Sequence, residues 1–149
     1  MQQLDMALEF AEGGGSGADE PPVTKDGWAE EHAAKQGCVV VYPQPNQLQI
    51  DIDTEAAYAE FNRRLGDLLA WDSSIFGDCS NAPQVVIQPS KSGLPHRHIT
   101  LTFPDRTFDR YERIALQMLL GSDPVREKMN TLRTLRGNPA PVRLFERPA

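Results

Sequence analysis

The stretch that most restricts the fold is QLQIDID, Gln47–Asp53, where Leu48, Ile50 and Ile52 alternate with Gln47, Gln49, Asp51 and Asp53. Successive strand side chains point to opposite faces, so strict alternation demands a sheet with one apolar face on a core and one polar face. Both aspartates fall on the polar face. At a rise of about 3.3 Å per residue their side chains lie roughly 6–7 Å apart. A second alternating run, HITLTF at 98–103, puts Ile99, Leu101 and Phe103 on one side and His98, Thr100 and Thr102 on the other. His96 shares the parity of His98 if the strand already begins there.

The neighbouring segments supply the remaining elements. Thr54 is placed to cap a helix whose apolar stripe is Tyr58, Phe61, Leu65 and Leu68, at i, i+3, i+7 and i+10. Cys38–Tyr42 reads as a strand, and PQPN at 43–46 predicts a hairpin joining it to Gln47–Asp53. QVVIQ at 84–88 predicts a short buried strand, and GWAEEHAAKQG at 27–37 a helix ended by Gly37. TFDRYERIALQMLL predicts a helix ending at Gly121, with Phe108 and Tyr111 at core spacing. SDPVREKMNTLRTLR then opens another helix, with Asp123 as cap and Pro124 near its first turn, and VRLFE at 142–146 can close the sheet.

The order is β-β-α-β-β-α-α-β. Without its first strand it is β-α-β-β-α-β, which predicts an α+β fold of the split βαβ (RRM/ferredoxin-like) kind, an antiparallel sheet with helices on one face and the other face open. Residues 1–26, with GGGSG at 13–17 and ADEPPVTKD after it, predict a flexible acidic tail, leaving 27–149 as one α+β domain.

Charge is divided along the chain. Residues 1–88 hold 15 Asp/Glu and 4 Lys/Arg, net −11, and residues 89–149 hold 6 and 11, net +5, giving the overall −6. Such asymmetry suits a basic surface for a polyanion shielded by an acidic half, or two halves that neutralise each other in the fold. Cys38 and Cys79 lie far apart without CxxC spacing, so neither a disulfide framework nor a zinc knuckle is predicted, and a reducing cytoplasmic setting is expected. No apolar run approaches the roughly 20 residues that span a bilayer, so no membrane partner is expected.

The chemistry converges on the polar face. Asp51, Asp53, His98 and His96 share it, and two carboxylates at this spacing can hold Mg²⁺ or Mn²⁺, which in turn bind phosphate oxygens. The adjoining loop, Ser90, Lys91, Ser92 and Gly93, offers hydroxyls, amides and an ammonium to the same phosphates. Arg126, Lys128, Arg133, Arg136 and Arg143 could follow a nucleic-acid backbone or a triphosphate. Each piece has a plainer structural use: Asp53 on a solvated strand end, the loop as a simple turn, Asp123 as a helix cap, the arginines as a solvated helix face.

The order of QIDID at a strand end, a helix, a Ser/Gly loop running into His and a strand, then LGSDPVREKMNTLRTLRG, resembles the archaeo-eukaryotic primase superfamily. The likeness is closest to reduced primase-polymerase-like proteins of phages and plasmids and covers roughly Val39–Glu146. It implies metal-dependent nucleotidyl transfer, with Asp51 and Asp53 as metal ligands, Asp123 as the third carboxylate, and His98 contacting the incoming nucleotide. Ser90, Lys91, Ser92, Gly93, His96, Arg133 and Arg136 would surround that nucleoside triphosphate on a DNA or RNA template. The chain departs from the family pattern where it has His96-Arg97-His98 in place of Ser-x-His. That departure keeps open a binding-only descendant acting on nucleic acid or on a protein partner, as a mobile-element regulator would. A paired His-x-Thr phosphodiesterase site ranks lower, because a second such motif is missing.

Overall fold

The structure, a computed structural model, describes residues 28–71, 82–138 and 140–148. In these residues the elements are α1 (Trp28–Lys35), β1 (Val39–Val41), β2 (Gln47–Ile52), α2 (Glu55–Trp71), β3 (Gln84–Pro89), β4 (Arg97–Thr102), α3 (Arg110–Leu119), α4 (Pro124–Leu135) and β5 (Leu144–Glu146). The acidic tail predicted for residues 1–26 lies outside the described residues. Among the described residues no helix is long and apolar enough to cross a membrane. The described residues divide between two compact units, one within 43–127 and the other made of 28–42 with described residues of 128–148.

In the 43–127 unit the sheet order is β2-β4-β3, and both contacts are antiparallel. Strands β2 and β3 therefore run parallel to each other, with β4 inserted between them. The register aligns Leu48, Leu101 and Val85 in one row, Ile50, Ile99 and Ile87 in the next, and Asp51, His98 and Gln88 on the opposite face. The apolar row read from the sequence holds, since Leu48, Ile50, Ile52, Ile99 and Leu101 are fully buried against Phe61 and Leu65 of α2 and Leu116 and Leu120 at α3, but the opposite face is not open as expected, Gln49 and His98 being buried as well. Burying a side chain of this size stabilises by about 1.5–3 kcal/mol relative to leaving it exposed, so this layer dominates the unit.

The helix ends follow local chemistry. Thr54 Oγ1 accepts the amide of Ala57 at 3.0 Å and starts α2. Asp109 and Glu112 form a reciprocal capping box at the start of α3. Beyond α3 the chain turns at Gly121, whose φ of 88° is left-handed and strained for any residue with a side chain. Phe108 packs edge-on against Phe103 in the core as predicted, but Tyr111 is exposed, because the buried stripe of α3 runs through Ile114, Leu116 and Gln117 instead.

In the second unit β1 pairs with β5 antiparallel, Val40 opposite Phe145. Ala29 and Ala33 of α1, Cys38, Val142 and Leu144 are its buried apolar residues. Tyr42 Oη donates to Glu30 Oε1 at 2.7 Å, and burial followed by that carboxylate pushes the phenol up to about 12.

Three expectations fail here. The hairpin across 43–46 does not form, since β1 and β2 belong to different sheets. The 142–146 strand does not close the β2 sheet; it pairs with β1. QVVIQ is not a buried strand but an exposed edge, every residue of β3 being open to solvent.

Candidate functional site

The polar face of the β2-β4-β3 sheet carries Gln49 and Asp51, Thr100 and His98, and Val86 and Gln88 in register. Asp51 lies directly across from His98, with Oδ1 3.8 Å from Nε2. One step further along, Asp53 Oδ1 lies 3.1 Å from His96 Nδ1. His96 precedes β4, yet its carbonyl accepts the Ser90 amide at 2.9 Å, so the ladder continues to it and gives it the parity of His98. The four predicted residues thus meet at one end of the sheet. They form two aspartate–histidine pairs, the inner pair largely buried and the outer pair open, Asp53 keeping 48% of its side-chain exposure against 23% for Asp51. Among the described residues no three His, Cys, Asp or Glu side chains converge as a ready metal-ligand set.

Burial governs the protonation of the inner pair. It pushes the Asp51 carboxyl up to about 6, against the pull of Arg126 and with repulsion from Asp53, Asp123 and Glu127 adding to it. It also holds the His98 imidazole down to about 4, with Arg126 acting in the same direction. At neutral pH His98 is a neutral imidazole with a lone pair to offer, and Asp51 is an ionised carboxylate in a locally acidic setting. A divalent cation would relieve that repulsion, and hard carboxylate oxygens are its preferred ligands. The donor types therefore suit Mg²⁺ or Mn²⁺ at Asp51 and Asp53.

Asp123 sits close by but is occupied. Its Oδ2 accepts the Arg126 amide at 3.0 Å as the cap of α4, and its own amide donates to the Asp51 carbonyl at 2.8 Å.

That last bond belongs to a larger arrangement along the outer edge of β2. Arg113 Nε donates to the Gln47 carbonyl at 3.0 Å, and Gln117 Oε1 accepts the Gln49 amide at 2.8 Å. Arg126 Nη1 donates to the Gln49 carbonyl at 2.8 Å, and Ser122 Oγ accepts the Asp51 amide at 3.0 Å. The Gln47 amide turns back to the Gln44 carbonyl at 3.0 Å. All six outward backbone groups of Gln47, Gln49 and Asp51 are thereby satisfied. Behind them the fully buried Glu127 carboxylate accepts from Gln117 Nε2, Ser122 Oγ and Arg126 Nη1.

Arg126, expected among the polyanion-binding arginines, is a buried part of this network, because its guanidinium is needed to pair Glu127 and the β2 edge. Sequence reasoning missed Gln117, Ser122 and Glu127. The available signal was Gln117 itself, an amide on the apolar stripe of α3 between Ile114 and Leu120.

The 90–96 loop is a tight turn that consumes much of its own polarity. Ser90 Oγ accepts the Ser92 amide at 3.2 Å, the Ser90 carbonyl takes the Gly93 amide at 2.9 Å, and the Gly93 carbonyl takes the His96 amide at 3.0 Å. Gly93 has the positive φ, 76°, that this path requires. Arg97 leaves the turn to stack over the Tyr58 ring at 4.1 Å and to pair with Glu55. Lys91 stands on this turn, half-buried. Arg133 and Arg136 belong to the other unit, where Arg133 Nη1 bonds the Asn130 side chain and the Pro141 carbonyl. A pocket of about 460 Å³ lined by Pro45, Asn46 and Pro104–Thr107 opens at the opposite end of the sheet, away from the two pairs.

Comparison with protein-family models, with curated proteins and with solved structures gives no match for this chain.

Proposed function

We propose that residues 43–127 form a primase-polymerase-like site that binds a divalent cation and a nucleoside triphosphate for nucleotidyl transfer on DNA or RNA. The observation that carries this reading is the cross-strand placement of Asp51 against His98, with Asp53 and His96 one step beyond. In this reading the sheet is a split βαβ variant: β4 separates the parallel β2 and β3, and a polar side-chain edge replaces the fourth strand. Asp51 and Asp53 would hold the cation, which would supply neutralisation of triphosphate charge and a lowered pKa for the attacking hydroxyl. Neutral His98 hydrogen-bonds a phosphate oxygen, and Ser90, Lys91, Ser92, Gly93 and His96 line the approach. Asp123 orients Asp51 through its backbone.

Titration of the full chain with Mn²⁺ and a deoxynucleoside triphosphate, followed by primer extension, tests the proposal. Metal-dependent nucleotide binding is expected and should be lost in Asp51→Asn/Asp53→Asn; wild-type binding that survives this double change would remove the assignment.

A second reading is binding without turnover, as a module for nucleic acid or protein. It is favoured by the Asp123 carboxylate being engaged as a cap and by the loop amides being bonded within the turn. Nucleotide binding without any primer extension would select it.

A further inference from the structure

Strand β3 is a six-residue edge, Gln84–Pro89, without a single charged side chain. Natural edges are usually blunted by charge, bulges, brevity or proline, and here only Pro89 at the end serves that purpose. Val85, Val86 and Ile87 are 43%, 41% and 42% exposed. The apolar face does not stop where the helices stop: the rows Leu48–Leu101 and Ile50–Ile99 are fully buried, then continue into exposed Val85 and Ile87.

The sequence of the edge is a palindrome by residue type. In QVVIQ, antiparallel pairing with a second copy about Val86 sets Gln84 against Gln88, Val85 against Ile87, and Val86 against itself. The hydrogen-bond parity of the sheet selects the same register. On β2 the amides of Gln49 and Asp51 face outward, so Ile50 and Ile52 face β4. By the same alternation Val86 and Gln88 of β3 face β4, while Val85 and Ile87 face outward. In the palindromic register each outward residue meets an outward residue, and four backbone hydrogen bonds close around a non-hydrogen-bonded Val86 pair.

We infer that β3 pairs antiparallel with β3 of a second copy of this chain, joining two sheets into one of order β2-β4-β3-β3-β4-β2. The association closes at two copies. A two-fold contact uses the same edge on both partners, and the β2 edges left at the ends of the joined sheet are already satisfied by Gln117, Ser122, Arg126 and their neighbours. Val85 and Ile87 of one copy then cover Ile87 and Val85 of the other, extending the apolar layer across the junction. This inference is independent of the nucleotide-binding proposal.

Sedimentation equilibrium of the full chain over a range of concentrations tests it. The wild type is expected to show a monomer–dimer equilibrium, and Val86→Lys, which sets like charges opposite each other at the two-fold axis, to raise the dissociation constant about tenfold or more. Circular dichroism checks that this variant is folded. Under mild oxidation Val86→Cys should give a disulfide-linked dimer much faster than Val85→Cys or the wild type, since the paired Cα atoms are within disulfide range only at position 86. A wild type that stays monomeric, a dimer that folded Val86→Lys leaves intact, or equal cross-linking at positions 85 and 86 would overturn the inference.

Discussion

Along β2 the outward N–H and C=O groups of Gln47, Gln49 and Asp51 all have partners, supplied by Arg113, Gln117, Ser122, Asp123, Arg126 and Gln44. Along β3, the other edge of the same sheet, the outward groups of Val85 and Ile87 meet no strand or side chain among the described residues. The contrast separates two ways of ending a sheet. Closing an edge with polar side chains buries a charged network that must be complete to be tolerated, and it fixes the strand that carries Asp51 in place. Leaving an edge bare and apolar keeps it available for another strand. The candidate site thus stands on the closed edge, and the association surface on the open one.

The closed edge is most vulnerable at Glu127. Glu127→Ala leaves the Arg126 guanidinium and the Gln117 and Ser122 donors buried without their acceptor, and a loss of about 3–5 kcal/mol is expected in urea unfolding. A loss below about 1 kcal/mol would mean the network is incidental to the edge.

Asp51→Asn should act in the opposite direction. A carboxyl raised from 3.8 to about 6 in the fold contributes stability below its unfolded pKa, and that contribution disappears as pH rises through 4 to 6. The variant should therefore be more stable than wild type by about 1–3 kcal/mol at pH 8, with the gain vanishing near pH 4. His98, lowered to about 4, works with the other sign, its contribution being lost as pH falls from 6.5 through 4. Between pH 4 and 6 the Asp51 and His98 contributions oppose each other, so the variant should gain stability with rising pH more steeply than the wild type; thermal melts across this range check both. An equal change at pH 4 and pH 8 would contradict the burial of Asp51.

A smaller test is Ser122→Ala, which deprives the Asp51 amide and the Glu127 carboxylate of one partner each and should cost about 1–2 kcal/mol. The smallest is Arg63→Ala. Arg63 pairs with Glu60 and Asp67 on the exposed face of α2, and a change within about 0.5 kcal/mol is expected.

The residues that define the faces were legible. Alternation in QLQIDID and HITLTF separated the core row from Asp51, Asp53 and His98, because a period of two is imposed by the pleat itself. Thr54 and Asp123 were legible as caps for an equally local reason. The β3 edge was not: a short apolar run such as VVI carries no information about how far the helix layer extends over it. The pairing of β5 with β1 was also hidden. What the structure puts on the β2 edge instead is Gln117 and Arg126, which lie 68 and 77 residues from Gln49 in the chain. No local pattern announces contacts at that separation. Arg126 illustrates the same limit, since a helical arginine next to Asp, Glu and Lys looks solvated until the fold supplies a buried carboxylate beside it.

Native-state amide hydrogen exchange, recorded at a concentration low enough to keep the chain monomeric, compares the two edges directly. The outward amides of Gln49 and Asp51 should exchange slowly, with the protection of core amides, while those of Val85 and Ile87 exchange rapidly. Gln49 and Asp51 exchanging as fast as Val85 and Ile87 would contradict it.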